Sequence, residues 1–341
     1  MKILQVGPKS IHVSSYINAL SETEDELYLL AEEPCSFGDV KKEFYVNFRS
    51  LNPLTLFKNI NKLKDIILGL KPDIIHIHQV NRLAYFVSRT AAKLNIPIIT
   101  TAWGSDVLLI PQKNAFFHFL VKQTLKRSAY VTADSKNMIF AMNQIVKSEK
   151  YILLQYGIDP IESSEKEKVI FSNRLHEPLY RIDSIINYFN DFQKKNPDWK
   201  LIVAGSGSET EKLKDQVEHL GLTESVKFVG WLQKEENRNW YSKATVYISI
   251  PESDGTSVSV LEAMSAGCIP VVADLPVSQE WITSGKNGII EQIGVNPLFD
   301  ALLLDSKECS EINKKLIESK ATRSASLNVF FELYKKAIYG K

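Results

Sequence analysis

Short apolar runs alternate with one-faced helical stretches along the chain, and this alternation limits the possible folds more than any other feature. Runs such as "KILQV" and "KPDIIHIH" have the length of buried strands, and the stretches that follow repeat apolar residues three or four positions apart. In residues 54–70 the repeat predicts a helix that ends before Pro72. Strands that alternate with helices form parallel sheets covered on both faces, so we predict an α/β fold with doubly wound sheets.

The alternation lapses once, just after Pro160, where "IESSEKEK" has the composition of a polar linker. A chain of 341 residues is long enough for a domain on each side of it. We therefore predict a Rossmann-like domain over residues 1–160 and a second one over 161–324. An amphipathic helix over 325–341 is expected to pack back on the first domain. A ligand is expected in the cleft between the domains, at the carboxyl ends of the strands.

Composition excludes several classes of protein. The three cysteines, Cys35, Cys268 and Cys309, are far apart and form no CxxC pair, which argues against a disulfide framework and a zinc site. No stretch reaches the roughly 18 apolar residues of a membrane-spanning helix. The net charge of +1 excludes a strongly basic nucleic-acid binder. We expect a cytoplasmic protein without a nucleic-acid partner.

One segment has a marked local charge. Between Val107 and Ala133 there is no acidic residue, whereas basic and aromatic residues alternate. The basic residues are Lys113, Lys122, Lys126 and Arg127, and the apolar ones beside them are Phe116, Phe117, Phe119 and Leu120. Two interpretations remain open at this point. The aromatics can belong to the core under a solvated basic face, or the helix can lie on an anionic membrane surface.

The stretch "SDGTSVSVLEAMSAG", residues 253–267, has the pattern of a ligand-binding strand–turn–helix. Thr256 or Ser257 can cap the helix, and the free backbone N–H groups at its start favour an anion. Asp254 and Glu262 cannot bind that anion, but they can accept hydrogen bonds from hydroxyls attached to it. A sugar nucleotide has a diphosphate flanked by hydroxyls. The alternative, a capped surface helix with solvated acids, fits poorly because "VLEAMSAG" is too apolar for a surface helix.

The same stretch resembles the signature of the retaining GT-B glycosyltransferases of family 4, in which an acid precedes a glutamate in "GFGxxxxEAMAxGxPVV". Five further stretches resemble the motifs of that family in the same order along the chain. They are "KPDIIHIHQ", "YGID", "SNRLH", "LIVAGSGSE" and "VKFVGW". The resemblance implies a GT-B architecture, in which two Rossmann-like domains face each other across a cleft.

The resemblance also implies roles for individual residues. Glu262 would bind the ribose of the donor, Asp254 the transferred sugar, and Arg174 the departing diphosphate. The remaining donor-binding candidates are Gly205, Gly207, Val229, Gly230, Trp231, Gly255, Thr256, Ser257 and Val258. No metal and no cofactor are implied beyond the co-substrate, a nucleoside-diphosphate sugar for which UDP is the expected nucleotide.

Asp254 is one methylene shorter than the family's usual glutamate, and the sequence departs from the family pattern at two other places. The family lysine, five or six residues after the arginine, is absent; Leu179 and Tyr180 stand there, and Arg181 is the nearest cation that could replace it. The usual "HGxD" reads "WGSD". The candidates on the acceptor side are therefore Trp103, Gly104 and Asp106, together with Lys9 and His12 of "GPKSIH" and His78 near the end of its strand. His76, deeper in that strand, is expected to be a core residue.

Together these features imply transfer of a hexosyl unit, with retention, to a glycan or polyprenyl-linked acceptor. We expect a place in bacterial surface polysaccharide assembly, such as lipopolysaccharide O-antigen or capsule. We also expect peripheral binding at the inner face of the cytoplasmic membrane through the N-terminal domain. Two alternatives stay open: a non-catalytic subunit that binds glycan or nucleotide, and a sugar-nucleotide epimerase or hydrolase. A nicotinamide dehydrogenase is excluded because "GSGSE" lacks the GxGxxG spacing.

Overall fold

The computed structural model describes residues 1–21, 23–35, 40–50 and 52–340, apart from the side chains of residues 11 and 12. The chain forms two compact units. The first contains residues 1–156 together with 324–341, and the second contains residues 157–323.

The first unit is built on a parallel sheet of seven described strands. They are β1 (Lys2–Val6), β2 (Glu26–Ala31), β3 (Lys42–Tyr45), β4 (Ile74–His78), β5 (Ile98–Thr101), β6 (Tyr130–Ala133) and β7 (Tyr151–Leu153), in the spatial order β3-β2-β1-β4-β5-β6-β7. The helices are α1 (Ile11–Ser21), α2 (Pro53–Leu70), α3 (Arg82–Lys93), α4 (Ser105–Leu108), α5 (Ile110–Lys113), α6 (Ala115–Arg127) and α7 (Lys136–Ile145).

The second unit repeats this plan with six strands in its described residues. They are β8 (Glu167–Ser172), β9 (Lys200–Ala204), β10 (Val226–Gly230), β11 (Ala244–Ser249), β12 (Ile269–Val272) and β13 (Ile289–Ile290), in the order β10-β9-β8-β11-β12-β13. The helices are α8 (Ile182–Gln193), α9 (Thr210–His219), α10 (Lys234–Lys243), α11 (Val258–Ser265), α12 (Ser278–Trp281), α13 (Pro297–Ala301) and α14 (Ser306–Lys320). The strand order reverses between β8 and β11, and such a reversal is where doubly wound sheets bind ligands. The predicted α/β fold class is confirmed.

The last helix, α15 (Arg323–Tyr339), completes the first unit. Its Phe330 and Tyr334 are fully buried and pack with Ile3, Tyr16 and other residues around β1. The chain passes between the units after Tyr156 and after Arg323. The polar stretch interpreted as a linker therefore belongs to the second unit. Ile158, three residues before the stretch, and Ile161, its first residue, are both buried in the core of that unit. The polar composition of the stretch did not indicate that these two isoleucines pack in the core.

Exposure corrects the sequence analysis at two helices of the first unit. In α2 only Leu63 and Ile67 are buried, whereas Leu54 and Phe57 in the first turns are 82% and 67% exposed. In α6 the side chains of Phe116 and Phe119 are 51% and 46% exposed, so the interpretation of these two rings as core residues is wrong. Among the described helices, none has the combination of length and apolar content that crossing a bilayer requires.

Candidate functional site

The loop between β11 and α11 is the centre of the candidate site. β11 ends at Ser249, and α11 begins at Val258 after the turn through Asp254 and Gly255. The first N–H groups of a helix have no acceptor within that helix, and its dipole is positive at this end. The loop therefore presents an anion-binding helix start directly after the strand at the topological switch of the sheet.

The sequence predicted Thr256 or Ser257 as the cap of α11, and the structure gives both hydroxyls other partners. Ser257 occupies the capping position, but within the described structure its side chain makes no capping hydrogen bond. Its Oγ instead accepts a hydrogen bond from Nη1 of Arg174 at 2.5 Å. Thr256 is buried, and its Oγ1 accepts from the indole N–H of Trp281 at 3.2 Å. The two hydroxyls thus fix the loop and its arginine rather than the helix end.

Arg174, from the loop after β8, lies against this helix start. Its Nη2 donates to Oδ2 of Asp254 at 2.8 Å, and its guanidinium carbon lies 4.5 Å from the centre of the Tyr180 ring. The side chains of Arg174 and Asp254 are only 11% and 23% exposed. Burial acts to lower the pKa of the Arg174 guanidinium, but the attraction of Asp254 outweighs it, and the pKa lies above its usual value. A permanent, oriented cation thus faces the anion-binding loop.

Glu262 lies one turn into α11 and is partly buried. Burial raises the pKa of its carboxyl group, and a hydrogen bond with Tyr241 acts in the opposite direction. Tyr241 in turn accepts a hydrogen bond from Nδ2 of Asn173 at 2.7 Å, and the hydroxyl of Tyr247 donates to Oδ1 of the same asparagine at 2.8 Å. Asn173 precedes Arg174, so one polar network connects the surroundings of both candidate residues.

Gly205 and Gly207 have a packing role in the structure. A Cβ atom on Gly205 would lie 2.4 Å from the carbonyl oxygen of Arg174, and one on Gly207 would lie 2.4 Å from that of His176. The loop after β9 therefore presses directly on the loop that carries Arg174. Glu177 joins the same two loops, because its carboxylate accepts from the backbone and hydroxyl of Ser208 at 2.8 and 2.6 Å. The two glycines therefore allow the close packing that positions the backbone of Arg174.

The donor-binding candidates Val229, Gly230 and Trp231 lie at the end of β10. Val229 packs partly against the core, Gly230 has a positive φ of 69°, and Trp231 is 60% exposed. Trp231 is therefore not a core residue. An exposed indole beyond the carboxyl end of a strand can stack on a base.

Arg181 does not stand free beside the loop. Its two terminal nitrogens donate to the two carboxylate oxygens of Glu291 at 2.8 and 3.0 Å, and Tyr188 donates to the same carboxylate at 2.6 Å. The hydrogen bond with Glu291 raises the pKa of the Arg181 guanidinium. The sequence could not reveal this pair, because Glu291 follows Arg181 by 110 positions.

In the first unit, His78 differs from its expected place in the cleft. It is 1% exposed; its Nδ1 contacts the Tyr156 hydroxyl at 2.6 Å and its Nε2 contacts Oε1 of Gln5 at 2.7 Å. Burial lowers the pKa of His78 to about 3, so the ring is neutral. His76 is fully buried, as the sequence predicted, and it joins Tyr334 and Thr101 through its two ring nitrogens. His78 is the last residue of β4, yet its side chain has almost no contact with solvent.

The "WGSD" segment forms a tight turn after β5. Asp106 is buried, and its carboxylate accepts from the backbone N–H groups of Val80 and Trp103 at 2.8 and 3.0 Å. Burial raises the pKa of Asp106 to about 6. The indole N–H of Trp103 donates to the Tyr156 hydroxyl at 3.0 Å, and Gly104 has a φ of 117°. Asp106 therefore anchors the turn, and the half-buried Trp103 lies above it.

The last two acceptor-side candidates are Lys9, in the loop before α1, and His12, in the first turn of α1. Lys9 is exposed. The side chain of His12 lies outside the described residues. Across the described ranges, no three His, Cys, Asp or Glu side chains gather as they would around a metal ion.

Comparison with known proteins agrees with this geometry. A family model described as "Glycosyl transferases group 1" matches residues 159–320, and one described as "Glycosyl transferase 4-like" matches residues 2–135. Poly(glycerol-phosphate) alpha-glucosyltransferase of Bacillus subtilis is 26% identical over 198 residues, 58% of this chain and 28% of that protein. GDP-mannose:cellobiosyl-diphosphopolyprenol alpha-mannosyltransferase of Xanthomonas oryzae pv. oryzae is 20% identical over 229 residues, 64% of this chain and 60% of that protein. The matched region thus spans less than two thirds of either relative.

The fold has close counterparts among solved structures. HepE of Anabaena, in complex with UDP and glucose, superimposes with a TM-score of 0.82 at 15% sequence identity, over 98% of this chain and 100% of that one. This likeness concerns the fold. With both halves matched by the two family models, the chain belongs to the GT-B-fold glycosyltransferases of family 4.

Proposed function

We propose that this glycosyltransferase moves a hexosyl unit, with retention at the anomeric carbon, from a UDP-sugar to a glycan or polyprenyl-linked acceptor. The observation that carries the proposal is the cluster of Arg174, Asp254 and Ser257 at the start of α11. Arg174 lies 80 positions before Asp254 and 83 before Ser257, yet it donates a hydrogen bond to each of them. The cluster offers a cation, helix amides and a carboxylate where the resemblance expects a diphosphate and a sugar.

Donor binding would exchange the partners within this cluster. In the structure Asp254 forms an ion pair with Arg174. In the complex with a nucleotide sugar, Arg174 and the amides of residues 255–258 would donate hydrogen bonds to the diphosphate. Asp254 would accept a hydrogen bond from a sugar hydroxyl. Glu262 would accept hydrogen bonds from the ribose. Arg174 would keep an anionic partner and Asp254 would keep a hydrogen-bond donor, so neither charged group is left buried without a polar partner.

The proposed reaction needs no side-chain base. The acceptor oxygen attacks the anomeric carbon, and the bond from that carbon to the diphosphate oxygen breaks with its electron pair. A phosphate oxygen of the departing nucleoside diphosphate takes the acceptor proton. Arg174 and the helix amides stabilise the charge that grows on the diphosphate. We propose that they suffice without a metal, so that turnover survives excess EDTA; a strict need for added Mg²⁺ would contradict this.

A panel of UDP- and GDP-sugars tests the donor. We expect one UDP-sugar to raise the melting temperature most and to release UDP in the presence of acceptor. HepE was crystallised with UDP, whereas the Xanthomonas relative is named for GDP-mannose, so both nucleotides belong in the panel. Nuclear magnetic resonance of the product reports whether configuration is retained. Nucleotide binding without turnover on any acceptor would favour a non-catalytic subunit, and conversion of the donor sugar without nucleotide release would favour an epimerase.

We further propose that the enzyme works in bacterial surface polysaccharide assembly, as a peripheral protein on the anionic cytoplasmic face of the membrane. The half-exposed rings of Phe116 and Phe119 lie on α6 with the exposed Lys126, and the exposed Lys113 ends α5 just before that helix. Arg127 is less suited to this role, because its guanidinium covers the Tyr85 ring at 5.1 Å. Apolar rings among lysines fit the interface of an anionic bilayer.

Sedimentation with vesicles of phosphatidylglycerol and phosphatidylcholine tests this surface. The combined change Phe116→Ser, Phe119→Ser and Lys126→Glu should release the protein from the vesicles. Phe140→Ser, on α7, is the matched control, because that ring is 65% exposed on the same unit. Unchanged sedimentation of the triple variant would show that α6 is not the contact.

A further inference from the structure

The family lysine that helps to neutralise the diphosphate has no counterpart in this chain, and the structure shows what occupies its surroundings. Leu179 and Tyr180 stand at the corresponding positions, inside a 3-10 turn over Pro178–Tyr180. The backbone N–H of Glu252 donates to the carbonyl of Leu179 at 2.9 Å. This turn is therefore attached to the loop that contains Asp254.

Arg181 is a poor substitute for the lysine. Both of its terminal nitrogens are held by Glu291, which is only 10% exposed and which also accepts from Tyr188. Moving Arg181 onto a phosphate would break two charge-assisted hydrogen bonds and leave the carboxylate of Glu291 without its cation. Arg181 also adopts a left-handed φ of 52° immediately before α8, which fixes its backbone.

Tyr180, in contrast, lies directly against the catalytic candidate. Its ring centre is 4.5 Å from the guanidinium carbon of Arg174, within the range of a cation–π contact. Asp254 and Ser257 bind the same guanidinium through its nitrogen atoms. The aromatic ring thus contacts the same guanidinium whose nitrogen atoms the two loop residues bind.

We propose that Tyr180 is a positioning residue, which holds the Arg174 guanidinium by its face while the N–H edge passes from Asp254 to the donor diphosphate. The inference rests on the proposed role of Arg174. Ring and phosphate do not compete, because a phosphate accepts hydrogen bonds from the edge and the ring occupies the face. In the family pattern the lysine adds a second cation beside the arginine. In this chain the contact with Tyr180 would instead restrict the orientation of Arg174.

The test compares Tyr180→Leu with Tyr180→Phe in the full-length enzyme. Activity is followed as release of nucleoside diphosphate from the nucleotide sugar that the panel above selects. Loss of the ring should lower kcat about 2- to 30-fold, the range of a cation–π contact, with a smaller change in donor KM. The reason is that the diphosphate gains charge in the transition state, where a misplaced guanidinium costs most. Tyr180→Phe keeps the ring and should restore most of the lost kcat.

Four further outcomes have a defined meaning. An equally low kcat in Tyr180→Phe would assign the effect to the hydroxyl and overturn the inference. A larger loss of kcat in Arg181→Met than in Tyr180→Leu would make Arg181 the substitute and also overturn it. A rise in donor KM with an unchanged kcat in Tyr180→Leu would reduce Tyr180 to a structural support of the turn. If Tyr180→Leu fails to fold, Tyr180→Met provides the same comparison.

Arg174→Ala separates this inference from the proposed function. If that variant keeps normal turnover, the role of Arg174 fails and the role of Tyr180 fails with it. If Arg174→Ala is inactive but Tyr180→Leu turns over normally, only the inference fails.

Discussion

Asp254→Asn should change nucleotide binding and turnover in opposite directions. The substitution keeps the size of the side chain but removes its charge. The carboxylate of Asp254 accepts a hydrogen bond from Nη2 of Arg174 at 2.8 Å, and a diphosphate that binds this nitrogen must replace that bond. Without that competitor, and without a negative charge beside the phosphate site, the product nucleoside diphosphate should bind more tightly. Turnover should fall, because the hydroxyl of the transferred sugar loses a charged acceptor and keeps only the weaker amide oxygen.

The structure bounds the gain in affinity. A hydrogen bond to a charged group contributes about 1.5–3 kcal/mol, or roughly 10- to 100-fold in a binding constant. Both side chains keep some solvent contact, at 11% and 23% exposure, which screens the pair. Arg174 also keeps its hydrogen bond to Ser257 in the variant. We therefore expect the lower limit, about tenfold tighter binding of UDP.

Isothermal titration calorimetry with UDP measures the first effect, and nucleotide release from the donor measures the second. Asp198→Asn is the matched control, because Asp198 pairs with Lys168 on the surface of the same unit, where both side chains are more than half exposed. It should change neither quantity. Weaker or unchanged UDP binding in Asp254→Asn would refute the idea that Asp254 and the diphosphate share one arginine.

Two other predictions concern the scaffold. Gly205→Ala should lower the free energy of unfolding, measured in urea, by about 2–3 kcal/mol. The added Cβ would clash with the carbonyl of Arg174, and an alanine at this position would also be strained by the φ of 108°. Gly230→Ala, also at positive φ but with no described atom within 4 Å of the added Cβ, should cost only about 1 kcal/mol; equal losses would refute the close packing. The buried neutral His78 should lose its stabilising contribution as pH falls from about 6.5 towards 3, because the unfolded chain takes up the proton first. His78→Gln should therefore be less stable at pH 7 but lose stability less steeply on acidification, and a parallel pH profile would contradict this.

The sequence was sufficient for the features that depend on local pattern. The alternation of strand and helix predicted two doubly wound sheets, because a parallel strand buried on both faces leaves a continuous apolar run. The order of the motifs led to the family. The run from Asp254 to Gly267 predicted a strand–turn–helix with free amides at its start, and the helix begins at Val258 in the structure.

Contacts between distant segments required the tertiary structure. Nothing near Arg181 in the chain shows that Glu291 binds it, and nothing near Tyr180 shows that its ring lies on Arg174. His78 and Phe116 make the same point for burial: a polar histidine is buried because Tyr156 and Gln5 satisfy its nitrogens, and an apolar ring is exposed on α6. The spacing of apolar residues shows which face of a helix or strand is apolar. Whether that face is buried, and which side chains it contacts, depends on the elements that pack against it. The sequence by itself therefore determined the fold class, the family and the position of the candidate loop. Only the packing of the loops after β8, β9 and β11 decided how Arg174 is held against that loop, because its partners come from distant segments.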